Sequence, residues 1–345
     1  MKAVRIHRHG GPAVLQYEEA PDPVPRPDEV LVRVRACALN HLDLWNRKGL
    51  PRPMVRLPRI LGSDIAGEVA ATGDLVDDWK PGDAVIVSPG ISCGRCRACL
   101  SGRDNQCPGY HLIGAGRDGG YAELVTVPRT NVLPKPANLS FAEAAAVPLV
   151  FLTAWHMLVA RARIGPGDHV LVWGAGSGVG SAAIQIAKLF GARVLAATSG
   201  PEKAAKAREL GADEVIDYTR REVLQEVRDL TGGRGVDVVF EHVGEATWDT
   251  SIKALAPGGR LVTCGNTSGW QARTDLRYVF SRQLSIFGSY MGSKGELLAL
   301  LPWIEQGRLR PVVHAVLPLE QAAAAHEILE SQQQFGKVVL EVPAR

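Results

Sequence analysis

Four cysteines packed into fifteen residues are the densest reactive chemistry in this chain. Cys93, Cys96, Cys99 and Cys107 follow the spacing Cys-x2-Cys-x2-Cys-x7-Cys in a loop that also holds Gly94, Gly102, Pro108 and Gly109. Four thiolates this close can surround one tetrahedral zinc. No coordination position then remains for a substrate, so such a metal is structural. A redox pair and unmetallated thiols are the alternatives for this spacing. Secreted disulfide frameworks spread their cysteines along the chain, and this cluster does not. Cys37 and Cys264 lie in or at the end of strand-like runs and read as small buried fillers.

The second chemical motif is the turn Gly174-Ala175-Gly176-Ser177-Gly178-Val179-Gly180, set between the apolar run His169–Trp173 and a helical pattern. Small residues allow a tight turn and a close backbone approach to a pyrophosphate, and the helix start offers free N–H groups and a positive dipole end. Gly176, Ser177, Gly178 and Val179 are therefore expected to touch a dinucleotide. A strict G-x-G-x-x-G is absent, because Val179 takes its last place counted from Gly174. Cofactor choice is read at the end of the next strand, where an NAD enzyme usually places a carboxylate for the ribose 2′-OH. Here the run is Ala197-Thr198-Ser199-Gly200, with Lys203 one turn later. A hydroxyl and a cation suit a 2′-phosphate, so NADPH is the expected cofactor. The plainer alternative is a solvated helix start.

These motifs need elements to hold them. Val30, Val32, Val34 and Ala36 alternate with Leu31, Arg33 and Arg35 as in a half-buried strand. Further short runs at 67–72, 84–87 and 122–127 are bounded by turn residues, so the first 130 residues suggest a compact, partly closed β-barrel. Ser140 with Glu143 forms a capping box that opens helical sequence. Beyond His169, strands at 169–173, 193–197, 236–240 and 260–264 alternate with helical stretches, which predicts an α/β, doubly wound parallel sheet. After Gly292 a helix, a strand and a helix lead to a terminal strand from Lys337 to Val342, well placed to rejoin the barrel.

At 345 residues the chain exceeds one comfortable core, so two domains are expected. A formal charge of +3 without a basic stretch gives no nucleic-acid footprint. The longest apolar run, Ala144 to Trp155, is interrupted by Pro148 and is too short for a bilayer. The N-terminal Met-Lys-Ala-Val-Arg-Ile-His enters an alternating pattern with no signal-peptide core, so a cytoplasmic location is the expectation.

Taken together, these features resemble the zinc-containing medium-chain dehydrogenase/reductases, a group that includes alcohol dehydrogenases and quinone oxidoreductases. The resemblance covers essentially the whole chain, and the cysteine lobe matches it at Cys93, Cys96, Cys99 and Cys107. It implies a GroES-like β-barrel catalytic domain over residues 1–150 with a zinc lobe at 90–110. A Rossmann domain over 151–292 and a return to the catalytic domain over 293–345 complete it. Zinc-dependent alcohol dehydrogenases carry a second, catalytic zinc. Its three ligand places hold Asn40, Ser63 and Leu149 here, none a usual zinc ligand, and the relay hydroxyl is replaced by Leu42. Asn40 followed by Asp43 looks instead like the quinone and enoyl reductases of the family. By the same resemblance, Thr153, Val179, Ser199, Lys203, Tyr218, Val243, Gly265, Phe287 and Ser289 should line the NADPH path, each with structural packing as its plainer reading.

Asn40 is expected as a hydrogen-bond donor of the catalytic site and as a cofactor contact. His41 is either a surface loop residue or a group near the cofactor and a proton source. Asp64 is either a satisfied turn residue or faces the active cleft. Trp45, placed in a connection, is either core or pocket wall. The function this supports is NADPH-dependent reduction of an activated C=C bond in an enone, quinone or enoyl thioester. The alternatives are alcohol/carbonyl chemistry with an unconventional site through Asp64 and His41, and a cofactor-binding protein without catalysis. The substrate is expected to be a small molecule, and the resemblance together with an apolar edge strand near 284–290 implies a homodimer or homotetramer.

Overall fold

The computed structural model describes residues 1–50 and 55–343. The chain begins with β1 (Lys2–Ile6), β2 (Leu15–Glu19) and the long β3 (Glu29–Ala38), then α1 (His41–Lys48) and β4 (Arg59–Ile60). It continues through β5 (Asp64–Thr72), β6 (Ala84–Val87), β7 (Gly90–Ile91), α2 (Arg97–Leu100), β8 (His111–Leu112), β9 (Leu124–Pro128) and β10 (Val132–Pro134). Helices α3 (Phe141–Ala145) and α4 (Pro148–Trp155) lead into β11 (His169–Val172), α5 (Gly178–Leu189), β12 (Arg193–Thr198) and α6 (Pro201–Glu209). Next come β13 (Glu214–Asp217), α7 (Val223–Leu230), β14 (Val236–Glu241), α8 (Glu245–Ala254), β15 (Leu255–Thr263), α9 (Leu276–Ser281) and β16 (Ser285–Gly288). The chain closes with α10 (Lys294–Glu305), β17 (Val313–Pro318), α11 (Ala322–Glu330) and β18 (Lys337–Glu341).

Contacts divide the chain into two compact units, one of 1–149, 293–307 and 311–345 and the other of 150–292 and 308–310. The first unit holds a three-stranded sheet in the order β2-β1-β4 and a larger one in the order β10-β6-β5-β3-β18-β17, with β9 on β3. Its core gathers Val30, Val32 and Val34 of β3, Ile65 of β5 and Val338 and Leu340 of β18, all fully buried. The returning segment is thus part of the barrel. Residue 122, expected within a strand to Val127, and its neighbour Tyr121 lie outside β9 and bond across to the other sheet. The Val4 N–H donates to the Tyr121 carbonyl at 2.7 Å, and Ala122 bridges Ala3.

The second unit is a six-stranded parallel sheet in the order β13-β12-β11-β14-β15-β16. Strands covered on both faces read as continuous apolar runs, as Val170–Val172 and Val238–Phe240 do here. Helix α5 packs Ala182, Ala183, Ile184, Ile186 and Ala187 inward, and the αL glycine Gly191 (φ +76°) follows its C-terminus. Sequence order reverses direction between β11 and β14, the switch point at which such sheets bind ligands beyond their carboxyl ends. The strand near residue 286 is the sheet edge, as expected. Among the described residues, no helix is long and apolar enough to cross a membrane.

Candidate functional site

In the first unit, β-sheet register assembles a buried polar cluster. Ala38 of β3 lies opposite Asp64 of β5 on one side and Val339 of β18 on the other. Side chains alternate along strands, so two residues further on the same register sets Lys337 facing Asn40 on the Asp64 side. The Lys337 ammonium donates to Asn40 Oδ1 at 2.6 Å and to Asp64 Oδ2 at 2.9 Å. Asn40 Nδ2 closes the ring by donating to Asp64 Oδ2 at 3.0 Å, and the Leu149 N–H donates to Asp64 Oδ1 at 2.7 Å. All three side chains are buried, Asp64 completely.

Asp43 holds the two backbone segments that carry this cluster. Its carboxylate accepts from the Asn40 N–H at 2.8 Å, which starts α1, and from the Gly62 N–H at 3.1 Å. Burial pushes its pKa up to about 6 against the pull of those two N–H groups and of Lys337. The Tyr121 hydroxyl lies against Asp43 and against His326 Nε2, the latter at 3.1 Å. Arg47 donates to His326 Nδ1 at 3.2 Å and pairs with Glu330. Because an arginine only donates, Nδ1 must accept, Nε2 carries the proton, and the chain Arg47→His326→Tyr121→Asp43 has one polarity. Burial and the Arg47 charge bring the His326 pKa down to about 3, so the imidazole is neutral.

His41 and Trp45 depart from their expected loop and connection. Both lie in α1, with their rings edge to face at 5.3 Å. The helix start was obscured because Asn40 and Asp43 read as chemistry, although Asn-x-x-Asp is also a capping pattern. Ser63, at one of the second-zinc places, donates its hydroxyl to the Ile113 carbonyl at 2.7 Å. Lys337, His326, Tyr121 and Arg47 were not singled out from sequence. Their signal was tertiary, since 273 residues separate Lys337 from Asp64.

The cysteine lobe lies in the same unit. The sulfurs of Cys93, Cys96, Cys99 and Cys107 all fall within 4.8 Å of one another. Cys96 and Cys99 stand 3.5 Å apart, and Cys93 and Cys99 4.0 Å. Four ligands at about 2.3 Å from one tetrahedral zinc would be about 3.8 Å apart, so the donor set fits that ion. Backbone N–H groups of Arg95 and Cys96 aim at Cys93 and bring its pKa down to about 6, whereas against the Cys99 N–H, burial and the neighbouring sulfurs push that of Cys96 up to about 11.

In the second unit the glycine turn is a cradle. A Cβ on Gly180 would lie 2.4 Å from the Gly174 carbonyl oxygen, and one on Gly174 (φ +54°) would meet the His242 ring at 2.8 Å. Ser177 caps α5 by accepting the Gly180 N–H at 2.9 Å. The N–H groups of Gly178 and Val179, in the first turn, have no helical carbonyl behind them. His242, unmarked in the sequence, donates from Nε2 to the Trp173 carbonyl at 2.9 Å, and burial lowers its pKa. Val243 is fixed by the buried Glu241, which accepts its N–H at 2.7 Å and that of Gly244 at 3.0 Å. A Cβ on Gly265 would lie 2.8 Å from the His242 carbonyl oxygen.

At the end of β12, Ser199 and Lys203 are half-buried and Tyr218 is exposed. Burial lowers the Lys203 pKa. The nearby Asp217 carboxylate is spent on the Thr219 hydroxyl at 2.7 Å and on the Gly200 and Thr219 N–H groups, both at 3.1 Å. Thr153, buried in α4, directs its hydroxyl at the Met291 sulfur, and Phe287 lies under the Arg161 guanidinium. The Ser289 hydroxyl oxygen is buried with no hydrogen-bond partner among the described residues.

A parallel sheet with a glycine cradle in one unit, and a barrel bearing a tetrathiolate lobe in the other, define a nicotinamide-dependent, zinc-binding oxidoreductase. Comparison with known proteins agrees. Residues 26–137 match the alcohol dehydrogenase GroES-like domain and residues 178–306 match the zinc-binding dehydrogenase family. A solved structure described as an NAD-dependent alcohol dehydrogenase is 52% identical with a TM-score of 0.97, covering 99% of this chain and 100% of that one. A quinone oxidoreductase from Pseudomonas aeruginosa is 35% identical over 98% of this chain and 99% of its own length. A crotonyl-CoA reductase from Streptomyces collinus is 33% identical over 94% of this chain and 80% of its own length. The chain belongs to the zinc-type medium-chain dehydrogenase/reductase superfamily and is an NAD(P)-dependent oxidoreductase.

Proposed function

We propose that this enzyme reduces an activated carbon–carbon double bond, in an enone, quinone or enoyl thioester, with NADPH. The observation that carries the reading is what stands at the second-zinc places: the Asn40 amide and the Leu149 N–H, both bonded to an Asp–Lys pair, and the Ser63 hydroxyl, bonded to a backbone carbonyl. A primary alcohol needs a strong acid to stabilise its alkoxide, and this set offers no ligand-rich metal site to supply one. A conjugated carbonyl needs only donors for its developing enolate oxygen and a later proton, and well-placed donors contribute roughly 3–4 kcal/mol each.

NADPH, when bound, supplies a hydride from nicotinamide C4. Gly176, Ser177, Gly178 and Val179 would meet its pyrophosphate, Ser199, Lys203 and Tyr218 its adenosine end, and Thr153, Val243, Gly265, Phe287 and Ser289 the remainder. Asn40 is assigned to the reacting end with Asp64, and His41 to proton supply. Cys93, Cys96, Cys99 and Cys107 would hold one structural zinc. We further propose a homodimer or homotetramer, supported by the exposed apolar side chain of Ile286 in the edge strand β16 and by those of Trp270, Leu276, Phe280 and Tyr290 in the chain on either side of it. A cytoplasmic location is retained.

A second reading, alcohol/carbonyl chemistry with NADH, is favoured by the name of the 52% identical structure. One experiment separates the two: an enone is offered with C4-deuterated NADPH and the label is located. Deuterium on the β-carbon with the carbonyl intact is expected. Deuterium on the carbonyl carbon, giving an allylic alcohol, would replace the first reading by the second.

A further inference from the structure

We infer that the Lys337 ammonium is the resident cation of the Asn40/Asp64 cluster, engaging the oxygen atoms that a second metal ion there would need. The inference rests on the geometry of the cluster, not on the substrate. Asp64 is completely buried, and an unpaired carboxylate there would be prohibitively costly. Arg47, the other buried cation nearby, is committed to His326, to the Gly10 carbonyl and to Glu330. Lys337 is therefore the group that neutralises Asp64, at 2.9 Å with its side chain only 4% exposed.

The donor set leaves no room for a metal in addition. Asn40 Oδ1 and Asp64 Oδ2 both accept from the ammonium, and Asp64 Oδ1 accepts the Leu149 N–H. Ser63 turns its hydroxyl proton to a backbone carbonyl. A divalent ion among these atoms would sit within a few ångströms of the ammonium in a medium that screens poorly. The same contacts make Lys337 a positioning residue. By occupying Asn40 Oδ1 it fixes which end of the amide faces Asp64, and so sets the second amide N–H toward the Ala38 carbonyl, 3.5 Å away.

The test is a double-mutant cycle on the full-length, zinc-loaded protein, using Lys337→Met, Asp64→Asn and the pair. Thermal unfolding and zinc per chain are read, so the outcome does not depend on the double-bond reading of the substrate. Lys337→Met strands a buried charge and should lower the unfolding midpoint by about 10 °C. The double variant, with both charges gone, should unfold above Lys337→Met alone. Wild type should hold one zinc per chain when zinc is in excess. A double variant whose loss equals or exceeds the sum of the singles, or two zincs per wild-type chain, would overturn the assignment. If Lys337→Met is recovered only unfolded, a folded double variant supports the inference and an unfolded one rejects it.

Discussion

A 2′-phosphate brings two negative charges to one end of the dinucleotide, and the residues there decide whether they are welcome. The Asp217 carboxylate accepts from Gly200 and Thr219, and the Ser199 hydroxyl and Lys203 are the groups proposed to face that phosphate. Lys203→Ala should weaken NADPH binding on the order of tenfold and leave NADH nearly unchanged, as read by titrating both cofactors. Equal losses would reject the assignment. For the cysteine lobe, Cys96→Ser should lose zinc by elemental analysis and unfold at lower temperature, because the metal's binding energy is folding energy. Hydride transfer per folded molecule should be preserved. At this scale the sequence was most legible where neighbours in the chain are neighbours in space: the cysteine spacing and the glycine turn announced themselves. Lys337 and His326 did not, because an isolated Lys or His carries no local signature. Asn40, Asp43 and Asp64 were legible as unusual, but the lysine that joins Asn40 to Asp64 was not.

Elements matter here through what they tie together. Helix α11 supplies His326 and Glu330, α1 supplies Arg47 and Asp43, and the hydrogen-bond chain between them ends on the backbone of Asn40 and Gly62. Folding holds His326 neutral with a pKa of about 3, well below that of an exposed imidazole. Unfolded chains therefore bind that proton more readily, and stability should fall as pH drops through 6.5 toward 3. Asp43, raised to about 6, acts in the opposite sense between about 4 and 6, so the His326 contribution is cleanest between pH 7 and 6. His326→Gln can still accept from Arg47 and donate to Tyr121 but cannot titrate. Urea unfolding at pH 7 and pH 6 should therefore show a smaller difference for this variant than for wild type. An equal difference would place the titration elsewhere. Most elements were readable from periodicity, and the errors have local causes. Strand β9 was started too early because residues 121–122 serve another sheet, and α1 was missed because its capping residues also looked functional.

For the whole molecule, the exposed apolar side chain of Ile286 in the edge strand β16 predicts self-association. Sedimentation at micromolar concentration should give a dimer or tetramer, and Ile286→Lys should shift it toward monomer by placing a charge on the edge. A monomeric wild type would refute this. The two-unit plan and the sheet classes were legible from where alternation gives way to strand–helix alternation, whereas strand order in the barrel was not, since pairing between distant segments leaves no periodic trace. That order has a consequence for biosynthesis. Strand β18 lies between β3 and β17, so a position inside the larger sheet is vacant until residues 337–341 have left the ribosome. Residues 150–292, by contrast, contain all six strands of their sheet and can close while the rest is still being made. The first part of the chain to be synthesised is thus the last to be finished. Through that interval the flank of β3 that β18 will cover is an unpaired strand edge, open to pairing with another nascent chain and dependent on the speed of translation to be covered in time.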